Sequence, residues 1–352
     1  MVTVAVDAHG ADLGAAEVAA GCVLAAERGV RVLVFGDAGE LAPAAGSPLV
    51  EVRHAPGSIA KAGDPVRAVR STADASIVQA ARAVAAGEAD ALVCGGSTGA
   101  ALAAGLFHIR RAKGIRRPAL ALPIPVPGAP VLLLDVGANV QARAEHLVQF
   151  AHMGAAFATA VLGVPQPRVA LLSNGEEPAR GTPEVQDAHA QLAATAGLRF
   201  AGNVEGTSLT AGAADVVVCD GFTGNVALKL MEGVSATLIG AIRERAGGSP
   251  RAAAGGWLLA PALRELRDEI DPERNGGAYL LGLRRLGVVC HGRFTRRGYA
   301  SAIAVAARAV AQDAVTAMLE ALGAAGALGR EPVGSASGVA VAAPAGSVPQ
   351  RS

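Results

Sequence analysis

Five short apolar runs in this chain end in residue types that handle anions and protons. The first ends in Asp7-Ala8-His9-Gly10-Ala11-Asp12, and another in Gly95-Gly96-Ser97-Thr98-Gly99. Further along come Asp135-Val136-Gly137-Ala138-Asn139, Ser173-Asn174-Gly175-Glu176-Glu177 and Asp220-Gly221-Phe222-Thr223-Gly224-Asn225. Glycine lets a ligand approach the backbone, while Ser, Thr and Asn supply hydroxyl or amide groups. A following helix start adds unpaired N–H donors for an anion. Together the five ends are expected to outline one polar cleft.

Each group also has a plain structural reading. Gly96, Ser97, Thr98 and Gly99 make either a phosphate cradle or a tight turn with an N-cap, and they match neither a P-loop nor a dinucleotide fingerprint. Asp7 and Asp12 are catalytic or turn-forming, and the same choice holds for Asp135 and Asn139. Asp220 closes Val216-Val217-Val218-Cys219, so it is expected to be buried, where a carboxylate requires a partner. Lys229 stands beside the stripe Val226, Leu230, Val234, Leu238 and is either an anion ligand or a snorkelling side chain. His291, in Cys290-His291-Gly292, is the histidine best placed at a strand end; the other six show no metal-ligand spacing.

The elements that position these groups follow from periodicity. Strands are expected at 3–8, 31–36, 49–54, 90–95, 119–126, 131–137, 168–173, 198–201, 215–220 and 287–290, with helices at 15–28, 73–86, 98–111, 144–162 and 183–195. Near-continuous apolar strands separated by helices predict an α/β fold, a Rossmann-like layered and mostly parallel sheet covered on both faces. The Pro-Gly turn near Gly128 predicts a hairpin or a crossing between lobes. Helices are expected at 222–245, 257–270 and 298–322, the first two separated by Gly247-Gly248-Ser249-Pro250. This reading gives one catalytic domain over 1–329 with a helical excursion at about 243–272, then a disordered tail at 330–352.

Composition narrows the function. A formal charge of +1 and 3% aromatic residues argue against a nucleic-acid partner. Four scattered cysteines argue against disulfides and zinc, and fit a reducing cytoplasm. No secretory signal opens the chain, and no run of about 18 uncharged apolar residues is present. Only Lys61, Lys113 and Lys229 are lysines, and only Asn139, Asn174, Asn203, Asn225 and Asn275 are asparagines. Such sparing use marks positions where geometry matters.

The chain resembles the phosphate acyltransferase family of bacterial phospholipid synthesis (PlsX) over about residues 1–322. The blocks that carry the resemblance are Phe200-Ala201-Gly202-Asn203-Val204-Glu205, the run from Ala214 through Asp220-Gly221-Phe222-Thr223-Gly224-Asn225 to Lys229, and Glu232-Gly233. Leu134–Asn139, Leu147–Gly154 and Asn275–Gly282 support them. The family opening resembles D-x-M-G-G-D, where this chain has His9 and Ala11; its G-N-T-G-A is here Gly96-Ser97-Thr98-Gly99-Ala100. Arg180 stands where many members carry Lys, and Val140-Gln141-Ala142-Arg143 also departs from the usual pattern.

The resemblance implies acyl transfer from acyl carrier protein to inorganic phosphate, giving an acyl-phosphate for a membrane glycerol-3-phosphate acyltransferase. It implies a fold similar to isocitrate and isopropylmalate dehydrogenases and to phosphotransacetylases. It further implies a cytoplasmic homodimer in peripheral contact with the membrane, with no organic cofactor and no metal. Hydrogenphosphate is already anionic and a thiolate leaves readily, so positioning and charge stabilisation should dominate. The catalytic candidates are Asp7, Asp220, Asn225 and Lys229, with Lys229 on phosphate or oxyanion and the carboxylates orienting it. Gly96, Ser97, Thr98, Gly99, Asn139, Gly221, Thr223, Gly224 and His291 are substrate-binding candidates. Rival readings are an acyl-coenzyme A:phosphate transferase of phosphotransacetylase type and a weakened docking scaffold. A decarboxylating dehydrogenase would need clustered metal-binding carboxylates, and no D-x-x-x-D pair is present.

Overall fold

The computed structural model describes residues 1–127 and 130–329. The expected turn at Gly128 and the expected tail from Arg330 lie outside the described residues. Eleven strands form one sheet: β1 Thr3–Asp7, β2 Arg31–Gly36, β3 Val50–His54, β4 Ala91–Gly95, β5 Ala119–Ile124, β6 Val131–Leu134, β7 Val169–Leu172, β8 Phe200–Val204, β9 Val216–Val218, β10 Ala278–Leu281 and β11 Leu286–Cys290. Their spatial order is β3-β2-β1-β4-β11-β10-β5-β6-β9-β7-β8. The helices are α1 Ala15–Ala26, α2 Ala38–Leu41, α3 Pro65–Ser71, α4 Ser76–Ala86, α5 Thr98–Ala104, α6 Ala144–Ala160, α7 Pro183–Ala193, α8 Gly221–Gly247, α9 Pro250–Glu269, α10 Arg296–Ala311 and α11 Ala314–Ala324.

Both faces of the sheet are buried, which explains strands with no polar alternation. One face packs against α1, α6, α7, α10 and α11, around Phe150, Phe157 and Tyr279. The other packs against α3, α4, α5 and, through Ala227, Leu228 and Met231, the early turns of α8. With few aromatics, the core is filled by Ala, Val and Leu, so helices sit close to the sheet. At Gly154, for example, an added Cβ would come within 2.6 Å of Val216.

Strand direction decides where the strand ends lie. Pairing is parallel except at β10–β11, β10–β5 and β5–β6, all antiparallel. Strands β1–β4, β11 and β5 therefore point one way, toward what we term the upper edge. Strands β6, β9, β7, β8 and β10 point the other way, toward the lower edge. The β5–β6 pair accords with the expected hairpin.

Several local expectations are corrected. Four-residue β10, flanked by Gly277 and Gly282, is a strand that periodicity did not suggest. The helix expected over 73–86 is α4, and a further helix that periodicity did not suggest, α3, precedes it, capped by Asp64 and opened by Pro65. The helix expected over 98–111 changes to a π-turn over Gly105–Ile109. The one expected over 298–322 breaks at Asp313, whose φ is 49°. Capped by Ser249, α9 starts at Pro250, seven residues before the expected start, which leaves Pro261 inside the helix. Finally, α8 is long and apolar enough to cross a membrane by length and composition, although Lys229 and Glu232 lie within it. These two charges interrupt what would otherwise be a long uncharged run. From Gly233 onward α8 is exposed almost throughout, and no residue of α9 is buried.

Candidate active site

The upper edge is built from the ends of β1, β4 and β11. Asp7 closes β1 and is buried; Ser76 Oγ donates to its Oδ1 at 2.5 Å and the His9 backbone N–H at 3.1 Å. Burial pushes the Asp7 carboxyl above its usual range, and the Ser76 and His9 bonds oppose that shift. His9 Nδ1 lies 3.1 Å from both Ser76 Oγ and the Gly57 carbonyl oxygen. The imidazole thereby lines a cleft of about 800 Å³ shared with Ser58, Lys61, Asp64, Arg67 and Thr72.

Beside it, β1 and β4 end in interleaved backbone. A Cβ on Gly10 would fall 1.7 Å from the Gly95 oxygen, and one on Gly96 would fall 2.2 Å from the Gly10 oxygen. Gly96 also has φ 77°, so glycine is required at this crossing. Ser97 caps α5 through the Ala100 N–H at 3.2 Å, while Gly96 and Gly99 stay exposed and Thr98 half-buried. Underneath, the Tyr299 hydroxyl is buried with no hydrogen-bond partner among the described residues, and a Cβ on Gly95 would meet it at 2.1 Å.

At the end of β11, half-buried His291 accepts from the Arg293 N–H at 3.3 Å. Its pKa is lowered by burial first, then by the charges of Arg293 and Lys229, against Glu232 and Asp12. These influences place Lys229 and Glu232 of α8 in the neighbourhood of His291. Lys229 Nζ is 3.0 Å from Glu232 and is exposed. Asn225, also exposed, lies one helical turn before Lys229 and on the same stripe. Each of the other four asparagines spends its side chain on a backbone group: Asn139 on Pro118, Asn174 on Gly181, Asn203 on Glu177 and Asn275 on Pro123. Only Asn225 makes no side-chain hydrogen bond among the described residues.

The expectation of a single five-cornered cleft is corrected. Asp135–Asn139, Ser173–Glu177 and the start of α8 lie at the lower edge, because β6, β7 and β9 run opposite to β1, β4 and β11. There the blocks hold one another. Asp135 is fully buried and accepts from the N–H groups of Leu120, Gly137, Ala138 and Asn139 and from Asn139 Nδ2, at 2.8–3.1 Å. Burial raises its pKa and those donors oppose the shift. The Gly221 N–H donates to the Asn139 oxygen at 2.7 Å, and a Cβ on Gly224 would sit 1.9 Å from the Asp135 oxygen. Asp220 is half-exposed rather than buried; it caps α8, accepting from the Thr223 N–H at 2.9 Å and from Thr223 Oγ1 at 2.6 Å. Asn139, Asp220, Gly221, Thr223 and Gly224 thus sit in a structural latch from which α8 climbs to carry Asn225 and Lys229 upward.

The structure brings together Asp7, Gly96, Ser97, Thr98, Gly99, His291 and Lys229. Sequence reasoning passed over Ser76, Arg67 and Tyr299; the sparing use of lysine at Lys61 was the one available signal. Among the described residues no cluster of three His, Cys, Asp or Glu could hold a metal. All four cysteines are buried, and burial pushes the Cys22 thiol up to about 12.

Comparison with known proteins finds relatives over most of the chain. A family profile described as "Fatty acid synthesis protein" matches residues 2–317. The phosphate acyltransferase of Moorella thermoacetica is 42% identical over 320 residues, covering 90% of this chain and 94% of that protein. That of Aquifex aeolicus is 38% identical over 313 residues, covering 87% and 92%. Among solved structures, the EutD phosphotransacetylase from Staphylococcus aureus matches with a TM-score of 0.56 at 18% identity. It covers 87% of this chain and 94% of its own, a likeness of fold alone. On the strength of its sequence relatives, this chain belongs to the phosphate acyltransferase family.

Proposed function

We propose that this acyltransferase moves a fatty acyl group from the thioester of acyl carrier protein to inorganic phosphate. The acyl-phosphate formed would be consumed by a membrane glycerol-3-phosphate acyltransferase. The observation that carries the reading is the upper-edge cleft, which combines Lys61 and Arg67 with His9 and the Ser76-bound Asp7. A phosphate oxygen attacks the thioester carbonyl carbon and forms the new C–O bond. The C–S bond then breaks, and the phosphate proton goes to the departing thiolate. In this scheme Lys61 and Arg67 hold the phosphate, and His9 fixes one of its protons. Lys229 and Asn225, four residues apart on α8, supply charge and an amide donor to the carbonyl oxygen as it becomes anionic. Asp7 positions His9 through Ser76. Gly96–Gly99 and His291 complete the wall, and the latch of Asn139, Asp220, Gly221, Thr223 and Gly224 sets the angle of α8.

The test is purified protein with phosphate and a long-chain acyl carrier protein or acyl-coenzyme A. Equal amounts of thiol and acyl-phosphate, faster with the carrier and without added metal or nucleotide, support the proposal. Thiol release independent of phosphate, or a preference for coenzyme A, sinks it.

The same reading makes the chain a cytoplasmic homodimer touching the membrane peripherally. Leu230, Val234, Leu238 and Ile242 on α8 and Leu259, Leu263 and Leu266 on α9 are exposed in a single chain. A second copy would cover part of that surface and leave Trp257 and Leu258 for the bilayer. A Leu259→Glu/Leu263→Glu variant should lose dimer mass in light scattering, lipid pelleting in co-sedimentation, or both. Retention of both properties removes the hairpin from assembly.

A further inference from the structure

The lower edge concentrates charge in a chain whose formal net charge is only +1. Arg110, Arg111, Lys113, Arg116 and Arg117 fall within eight residues, and no acidic residue occurs between Asp90 and Asp135. The segment is joined to Arg284 and Arg285. The Arg284 N–H donates to the Arg110 oxygen at 3.0 Å, and Arg111 bridges Leu283. Burial lowers the pKa of His146, Glu145 at 3.8 Å opposes that shift, and Arg117, Arg143 and Arg116 add to it, which places three arginines and one carboxylate round one imidazole. Arg116 pairs with Glu145 at 3.0 Å. Among the described residues the others make no ion pair. Uncompensated like charges on a rigid rim repel one another, so such a patch is an electrostatic footprint for an anionic partner.

Two further features fix the kind of partner. Asn139 Nδ2 donates to the Pro118 oxygen beside Arg117, and the Asn139 oxygen accepts from Gly221. Exposed Val140 and Phe222 flank that junction, so an apolar pair adjoins the basic rim. Phe222 also begins the α8 stripe that leads to Lys229, seven residues or about 10 Å of helix rise away. A partner bound here could pass an extended prosthetic arm up the helix to the cleft. A bilayer fits less well: the broad apolar surface belongs to the α8–α9 hairpin, which leaves the sheet at the opposite edge.

We infer that the rim formed by residues 110–117 and 284–285, with Val140 and Phe222, docks a small acidic protein whose carboxylates flank an apolar helix face, and that this protein bears the acyl thioester. The inference rests on the proposed carrier-borne donor. It is tested with Lys113→Glu/Arg284→Glu/Arg285→Glu, three exposed side chains outside the cleft. Acyl carrier protein thioester is compared with a neutral small-thiol acyl thioester. The variant should raise KM for the carrier thioester tenfold or more and weaken its salt dependence, with KM for phosphate and turnover of the small thioester unchanged. An unchanged carrier KM overturns the inference, as does an equal loss on both donors. Intact carrier kinetics with lost binding to phosphatidylglycerol vesicles assigns the rim to lipid and also overturns it. Wild-type protein that turns over the small thioester but ignores the carrier thioester removes the donor reading itself, before any variant is made.

Discussion

Lys229 and Asn225 are exposed, and among the described residues Lys229 pairs with Glu232 on its own helix while Asn225 makes no side-chain hydrogen bond, so neither side chain ties α8 to the rest of the fold. Removal of a charge-stabilising contact typically costs about 2–4 kcal/mol in the transition state. Lys229→Ala is therefore expected to lower kcat by roughly tenfold or more, with a melting temperature near that of wild type; unchanged turnover would return Lys229 to a solvated surface role. Asp135→Asn should behave in the opposite way. An amide NH2 in place of Oδ2 would face the two Asn139 N–H donors in a fully buried pocket, a loss of about 2–4 kcal/mol in folding stability, read from urea midpoints. Protonation of His152 gives a pH test. Burial lowers its pKa below 6.5, so the unfolded chain binds the proton more readily. Stability should thus be full above about pH 6.5 and decline as pH falls toward the folded value. His152→Gln should flatten that part of the melting-temperature profile, and an unchanged slope would assign it to other histidines. Sequence alone left Asp135 open between catalysis and structure and favoured catalysis for Asp220, the carboxylate expected to be buried. Which carboxylate is surrounded by backbone donors depends on strand direction, which no local pattern encodes.

At the level of elements, the legible parts were those with long uniform periods. Strands β1, β2, β4 and β9 and helices α1, α6 and α7 lie within a few residues of their expected positions. The misses have local causes: a capping aspartate and Pro65 start the unexpected short helix α3, and Asp313 in the left-handed region breaks α10 from α11. Two glycines of α8 make a controlled comparison. Gly224→Ala drives a methyl group onto the Asp135 carbonyl and should destabilise by about 3 kcal/mol, the upper end for overpacking. Gly233→Ala meets open space and should be neutral or gain about 0.5–1 kcal/mol from helix propensity. Equal urea midpoints for the two variants would mean that α8 does not seat against Asp135 as described.

The whole molecule is built on a single sheet whose two sides run mainly in opposite directions, a reversal that the expected hairpin near Gly128 allowed but that the strand ends themselves do not display. A β–α–β rhythm reads the same on either side of the β5–β6 hairpin, so the polar strand ends looked like one set. The order β4-β11-β10-β5 has a further consequence for how the chain is made. The strand that joins the halves, β11, is the last to be synthesised, about 190 residues after its neighbour β4. At roughly 5–20 residues per second, β4 waits about 10–40 s as an open edge beside a nascent chain. An open edge is a template for mispairing. Ribosome-bound chains that stop before Ala278 should therefore be sensitive to protease and associate with chaperones, and protection should arrive only once β11 has cleared the exit tunnel.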